Sequence, residues 1–229
     1  KNLSKLFYLL LVSIYTHSCS KEKTKKGSFY TMTEFMDAIK NRRSIYALGR
    51  NVEISETEIE NLIKDAVKYS PTAFNAQSPR VVVLFGEAHE KLWELTEAAL
   101  KPLTPAEAFP GTQAKLAGFK AGLGTVLFFK HTDTIKTLQE QFALYADNFP
   151  DWSEQSNGIA TANAWVAWED AGLGANLQHY NPVIDEAVAK EWDIPANWKL
   201  RSQLVFGSKE AEAAEKEFMP EEDRFRVIR

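Results

Sequence analysis

The chain has 229 residues, of which 45% are hydrophobic and 25% charged, with a formal net charge of -4. That balance supports one sizeable core or two small ones and gives no general attraction to nucleic acid. Cys19 is the single cysteine, which excludes an intrachain disulfide and a cysteine-rich metal site, and His17, His89, His131 and His179 show no metal-ligand spacing.

Lys1 and Lys5 precede an apolar run over 6–14, followed by Ser18, Cys19 and a charged stretch over 21–26. Three readings stand side by side: an export signal with Cys19 as a lipid-attachment site, a leader foreign to a protein that starts at Met32, or a disordered tail. The run is too short for a comfortable membrane span. Residues 1–31 are therefore read as a leader and 32–229 as one domain.

Phe35, Met36 and Ile39 share one side of a helix that ends near Asn41 and leads into Arg42, Arg43 and Ser44. The basic residues either offset a helix C-terminus or form a fork for a phosphate monoester. Ser55 and Glu58 make a capping box, Ile54 and Ile59 a hydrophobic staple, and Ile59, Leu62, Ile63, Ala66 and Val67 the buried stripe of the next helix. Pro71 ends that pattern. The stretch 68–77 then delivers Asn75 and Gln77 to the start of a strand. Their amides either satisfy a turn or face a planar heterocycle.

Residues 80–85 read as an interior strand closed by Gly86, 88–100 as a helix, 101–110 as a proline-rich loop, and 125–129 as a second buried strand. Gly118, Gly122 and Gly124 do not form the G-x-G-x-x-G pattern of a dinucleotide site. Residues 135–149 are helical, with a break at 148–152. The most apolar helix, 156–171, carries Trp165 and Trp168 and is expected at the centre of the domain or in a subunit interface. Gly172 and Gly174 either cap that helix or let backbone approach a flat ligand. Asn181 and Pro182 read as the start of a helix, 200–206 as a third strand stopped by Gly207, and the tail as an arm with the sparse anchors Phe218, Met219, Phe225, Val227 and Ile228.

Three separated segments carry a resemblance: Arg42-Arg43-Ser44, the SPTAFNAQ stretch over 70–77, and the EDAGLGANLQHYNP stretch over 169–182. Together they resemble the flavin-dependent nitroreductase superfamily, in its compact branch with the fungal stress-associated proteins and bacterial homologues, over residues 32–229. The resemblance implies an α+β fold with a mostly antiparallel central sheet flanked by helices, and a homodimer with FMN at the subunit interface. It also implies a C-terminal arm exchanged between partners. By position, Arg42 and Ser44 match residues at the flavin phosphate and ribityl chain, with Arg43 beside them. Asn75 matches a residue at the ring edge, with Gln77 close by and contributed across the dimer. Leu173 and Gly174 match the turn facing the ring, and Arg224 and Arg226 are candidates to complete the phosphate pocket.

The implied activity is an FMN-dependent NAD(P)H oxidoreductase reducing nitroaromatic or quinone-like acceptors in a ping-pong scheme. No side chain acts as nucleophile, no metal is required, and His179 is read as structural. The alternative is a flavin-binding stress or regulatory protein with little turnover. A cytoplasmic location is expected, with export or lipid anchoring as the alternative. The compact branch lacks the long helical insertion of larger nitroreductases, so their nucleotide and acceptor preferences do not transfer.

Overall fold

The computed structural model describes residues 32–229, and the expectations for the leader lie outside them. Contacts group the chain into Lys1–Phe35 and Met36–Arg229; the sheet and core belong to the second unit. In order the elements are α1 Met32–Asn41, β1 Leu48–Gly49, α2 Glu56–Tyr69, β2 Pro79–Phe85, α3 Gly86–Leu100, α4 Phe109–Lys120, β3 Gly124–His131 and α5 Thr132–Gln141. Then follow α6 Phe149–Asp170, β4 Gly174–Gln178, α7 Asp185–Glu191, β5 Trp198–Lys209 and the single turn α8 Glu221–Arg224.

Strand β5 is the spine of a wholly antiparallel sheet. β3 pairs along one edge, from Gly124 opposite Phe206 to His131 opposite Trp198, and β2 pairs beyond β3. β4 takes the other edge, from Gly174 opposite Gly207 to Gln178 opposite Gln203, and β1 pairs with the last residues of β5. The α+β class and the antiparallel sheet match the expectation.

Because side chains alternate along a strand, each sheet face carries its own core. Leu127, Phe129 and Val205 pack with Leu92 and Trp93 of α3, Phe119 of α4 and Ile184 and Val188 at α7. Val126, Phe128, Leu204 and Phe206 meet Ile59 and Ile63 of α2 and Ala164 and Trp168 of α6. The α2 start is as read: Ser55 Oγ accepts from the Glu58 N–H at 3.2 Å, and Glu58 accepts from the Ser55 N–H at 2.9 Å.

Several boundaries differ from the sequence reading. β2 lies at an edge of the sheet, not in its interior, because β3 alone pairs with it. α6 begins at Phe149, since Pro150 stands in the first turn, where a missing N–H costs nothing. α4 fills the stretch after the proline-rich loop, with Pro110 likewise in its first turn. β5 runs through Gly207: a Cβ there would lie 2.2 Å from the Gly49 carbonyl, so this glycine admits β1 against the spine. The Asn181-Pro182 bond is cis, and α7 starts later, at Asp185.

Candidate functional site

Two corners of the sheet hold the residues singled out from the sequence. At the first, α1 closes with the Arg42 N–H on the Ala38 carbonyl, and the chain then runs beside β4. Ser44 bridges Ala175 in parallel, the Ile45 N–H donates to the Ala175 carbonyl at 2.9 Å, and buried Asn176 donates its side-chain amide to the Ile45 carbonyl at 2.8 Å. This zipper brings Arg42, Arg43 and Ser44 to the start of β4, next to Leu173 and Gly174.

The turn into β4 is rigid for local reasons. Gly172 adopts φ +81, its N–H returns to the Glu169 carbonyl, and the Leu173 N–H returns to the Trp168 carbonyl. This is the Schellman closure that a glycine after a helix permits. Leu173 is 2% exposed, and its N–H is committed to the helix end. A Cβ on Gly174 would sit 2.9 Å from Lys209 Cγ and 3.0 Å from Leu48 Cδ2, so the strand start is packed to glycine size.

The two arginines differ in their partners. Arg43 donates to the Ala214 carbonyl and ties down the base of the tail. The Arg42 guanidinium carbon lies 4.4 Å from the centroid of the Trp165 ring, and none of the ion pairs among the described residues involves it. Ser44 is exposed. An unneutralised planar fork beside an exposed hydroxyl is a donor set for a phosphate.

The second corner is the loop between α2 and β2. Phe74, Asn75 and Gln77 have φ of +56, +50 and +47, left-handed values that cost non-glycine residues free energy. The surroundings hold them there. Ser70 Oγ donates to the Ala66 carbonyl and accepts from the Asn163 side-chain amide at 2.8 Å. The Gln77 N–H donates to Thr72 Oγ1 at 3.0 Å, and Arg80 donates to the Gln77 carbonyl. Phe74 packs on Phe142, Tyr145 and Phe149 and stacks at 17° on Trp152. Asn75 and Gln77 are exposed, and among the described residues their side-chain amides have no hydrogen-bond partner.

The corners do not meet within one chain. Pro79, two residues past Gln77, is level with Lys130 and Lys199, whereas Gly174 is level with Gly207. Eight β5 residues separate these levels, about 26 Å at the usual strand rise, and three strand spacings add about 14 Å across the sheet. α6 gives the same picture. Trp152 under Phe74 and Trp165 under Arg42 are thirteen residues apart on it, about 20 Å of helix.

Arg224 and Arg226 lie exposed in the tail, where Arg224 sits over the Phe225 ring. Among the described residues no contact brings them to Arg42. Sequence reading missed Lys209, which packs at Gly174 and pairs with Glu169 at 2.7 Å, and the Trp165 face beneath Arg42. Only the pairing of the β5 end with the β4 start reveals the first. Trp165 was visible as part of an apolar helix, without its cation.

Residues 39–208 match the model of the Nitroreductase family. The chain belongs to that family. It is 36% identical to the Saccharomyces cerevisiae protein HBN1 over 188 residues, covering 81% of this chain and 93% of HBN1. It is 34% identical to the yeast nitroreductase FRM2 with the same coverage. Nitroreductase CinD from Lactococcus lactis, solved with nicotinic acid, superposes with a TM-score of 0.80 and is 58% identical, covering 85% of this chain and all of CinD. CinD has also been solved with chloramphenicol and with 4-nitrophenol.

The chain is thus an FMN-dependent oxidoreductase of the nitroreductase family. The first corner offers a guanidinium and a hydroxyl, donors of the kind a phosphate takes, and the second offers exposed amides of the kind a flavin ring edge takes.

Proposed function

We propose that this protein is a homodimeric NAD(P)H oxidoreductase whose FMN lies between subunits, held at Arg42, Ser44 and the Leu173–Gly174 turn of one protomer and at Asn75 and Gln77 of its partner. One observation carries the reading. The ring-facing turn and the ring-edge amides lie at opposite corners of one sheet, too far apart for a single isoalloxazine to touch both. A two-fold axis makes each corner complete the other's half-site.

When bound, FMN supplies two-electron redox chemistry, taking reducing equivalents from NAD(P)H and passing them to an acceptor in alternation, a ping-pong scheme. The chain's own task is to bind and orient. Arg42 and Ser44 take the phosphate, with Arg43 beside them and Arg224 and Arg226 of the tail closing the pocket. The amides of Asn75 and Gln77 hydrogen-bond the ring edge and favour negative charge there. Nitroaromatic and quinone-like compounds are the acceptor class: 4-nitrophenol and chloramphenicol, both nitroaromatic, occupy the CinD complexes, and nicotinic acid shares the ring of a nicotinamide donor.

Exposed apolar surface supports the dimer. Ile159 on α6 is 38% exposed, and in the tail Phe218, Met219, Phe225, Val227 and Ile228 are 56 to 87% exposed beyond the Arg43 anchor at Ala214. The tail is assigned as an arm over the partner. Residues 32–229 are assigned as the functional domain, placed in the cytoplasm, with export or lipid anchoring through residues 1–19 as the alternative. Among the described residues no helix is long and apolar enough to cross a membrane.

The test is an anaerobic absorbance spectrum of the purified protein, with NADH and NADPH added separately. Bleaching by one donor, with recovery on adding 4-nitrophenol, is the expected result. A flavin that stays oxidised with both donors contradicts turnover and leaves a flavin-binding protein.

A further inference from the structure

The geometry points to Trp165 as a positioning residue that holds the Arg42 guanidinium for phosphate, an inference that rests on the assignment of Arg42 to the FMN phosphate. The guanidinium carbon lies over the indole, 4.4 Å from the ring centroid. Such a cation-π contact does not use up the N–H donors in hydrogen bonds. The five N–H donors of an arginine lie in its plane and point outward, so they remain available to an anion.

Three observations narrow the role of this tryptophan. None of the ion pairs among the described residues involves Arg42, and the Trp165 ring is the contact described for its guanidinium. Trp165 Nε1 is buried without a hydrogen-bond partner, so the indole contributes its face and not its polar edge. A buried orphan donor is unfavourable, and a phenylalanine would avoid it; the tryptophan is tolerated with that cost. Finally, Trp165 stands on the last turns of α6, which packs on α2 and the sheet, and, partly buried, it packs against the core cluster that holds Trp168, which anchors its ring. A mobile arginine would have to be ordered when phosphate binds, and one held over the ring already is.

The contact therefore discriminates between flavins by their phosphate. The experiment strips flavin from the full chain and titrates it with FMN and with riboflavin, which lacks the phosphate, in wild type, Trp165→Leu, Trp165→Phe, Arg42→Ala and the Arg42→Ala/Trp165→Leu double variant. Loss of the face is expected to weaken FMN about five- to tenfold, the scale of a partly desolvated cation-π contact, and to leave riboflavin within about twofold. Trp165→Phe restores FMN binding, and the double variant is no weaker than Arg42→Ala alone. Where leucine is not tolerated, Trp165→Met keeps apolar volume without a ring face and is read in the same way.

An equal loss of FMN and riboflavin in Trp165→Leu makes the residue merely structural and overturns the proposal. So does a Trp165→Leu loss that persists in full without Arg42. Wild type that binds both flavins equally overturns the phosphate assignment itself, and the positioning role with it.

Discussion

The β4 corner and the α2–β2 loop are built on opposite terms. At β4 every local choice agrees: a Schellman closure, a glycine where no Cβ fits, and a parallel zipper between Ile45, Ala175 and Asn176. In the loop, three non-glycine residues hold left-handed backbone, kept there by stapling hydrogen bonds and an aromatic cluster. The difference teaches how two kinds of recognition are prepared. On the proposed assignment, the phosphate meets a fixed charge on a relaxed scaffold, whereas the exposed amides proposed for the ring edge come from a segment that stores strain.

The largest effect strikes the scaffold joining the corners. His89 is fully buried between α3 and β3, where its Nε2–H donates to the Lys120 carbonyl at 3.3 Å and its Nδ1 accepts from Thr125 Oγ1 at 2.9 Å. Burial, which disfavours the imidazolium, lowers its pKa to about 4. The neutral form is the stable one in the fold, so its contribution is complete above the unfolded value near 6.5. It is lost as pH falls from there through about 4, on the order of 3 kcal/mol in all. Urea melts between pH 7 and 4 should show the decline, and His89→Gln should flatten it. Both corners should fail together in acid; flavin release at a pH where the fold is still fully stable would separate them.

Next is the charge at the first corner. Arg42→Ala should weaken FMN about 10- to 100-fold, the range for hydrogen bonds to a charged group, with little change in melting temperature. A melt that drops with unchanged flavin affinity would make Arg42 a helix cap only. Smaller effects come from exchanging glycines in opposite directions. Gly174→Ala should destabilise the fold by about 1 to 3 kcal/mol through overpacking against Lys209 and Leu48. Gln77→Gly should stabilise it by about 0.5 to 1 kcal/mol by relieving the φ of +47, while weakening flavin binding. Thermal melts and flavin titrations on both variants check the contrast, and a Gln77→Gly protein that melts lower would remove the strain from the account.

Much of this was legible from local chemistry. The Ser55–Glu58 box, the α2 stripe and the three motif segments stand in the sequence because caps, periodicity and flavin-loop patterns are short-range. The antiparallel sheet came from the family resemblance. What escaped was set by pairing at long range. β4 looks like a glycine turn until β5 lies beside it, and Gly207 looks like a stop until β1 closes onto it. Pro150 reads as a breaker unless the helix is known to start there. The strain in the loop was invisible, since Phe74 carries no sign of left-handed backbone. The separation of the corners followed only from the register.

The most direct test of the shared site mixes two defective chains. Arg42→Ala and the Asn75→Ala/Gln77→Ala variant are combined under conditions of subunit exchange and passed down a sizing column with FMN set between the wild-type and variant affinities. If the site spans two protomers, mixed dimers carry one intact site each, and bound FMN rises to about a quarter of the wild-type level, since about half the dimers are mixed. If all these residues serve one site within a single chain, mixing restores nothing, and the two-subunit site is wrong.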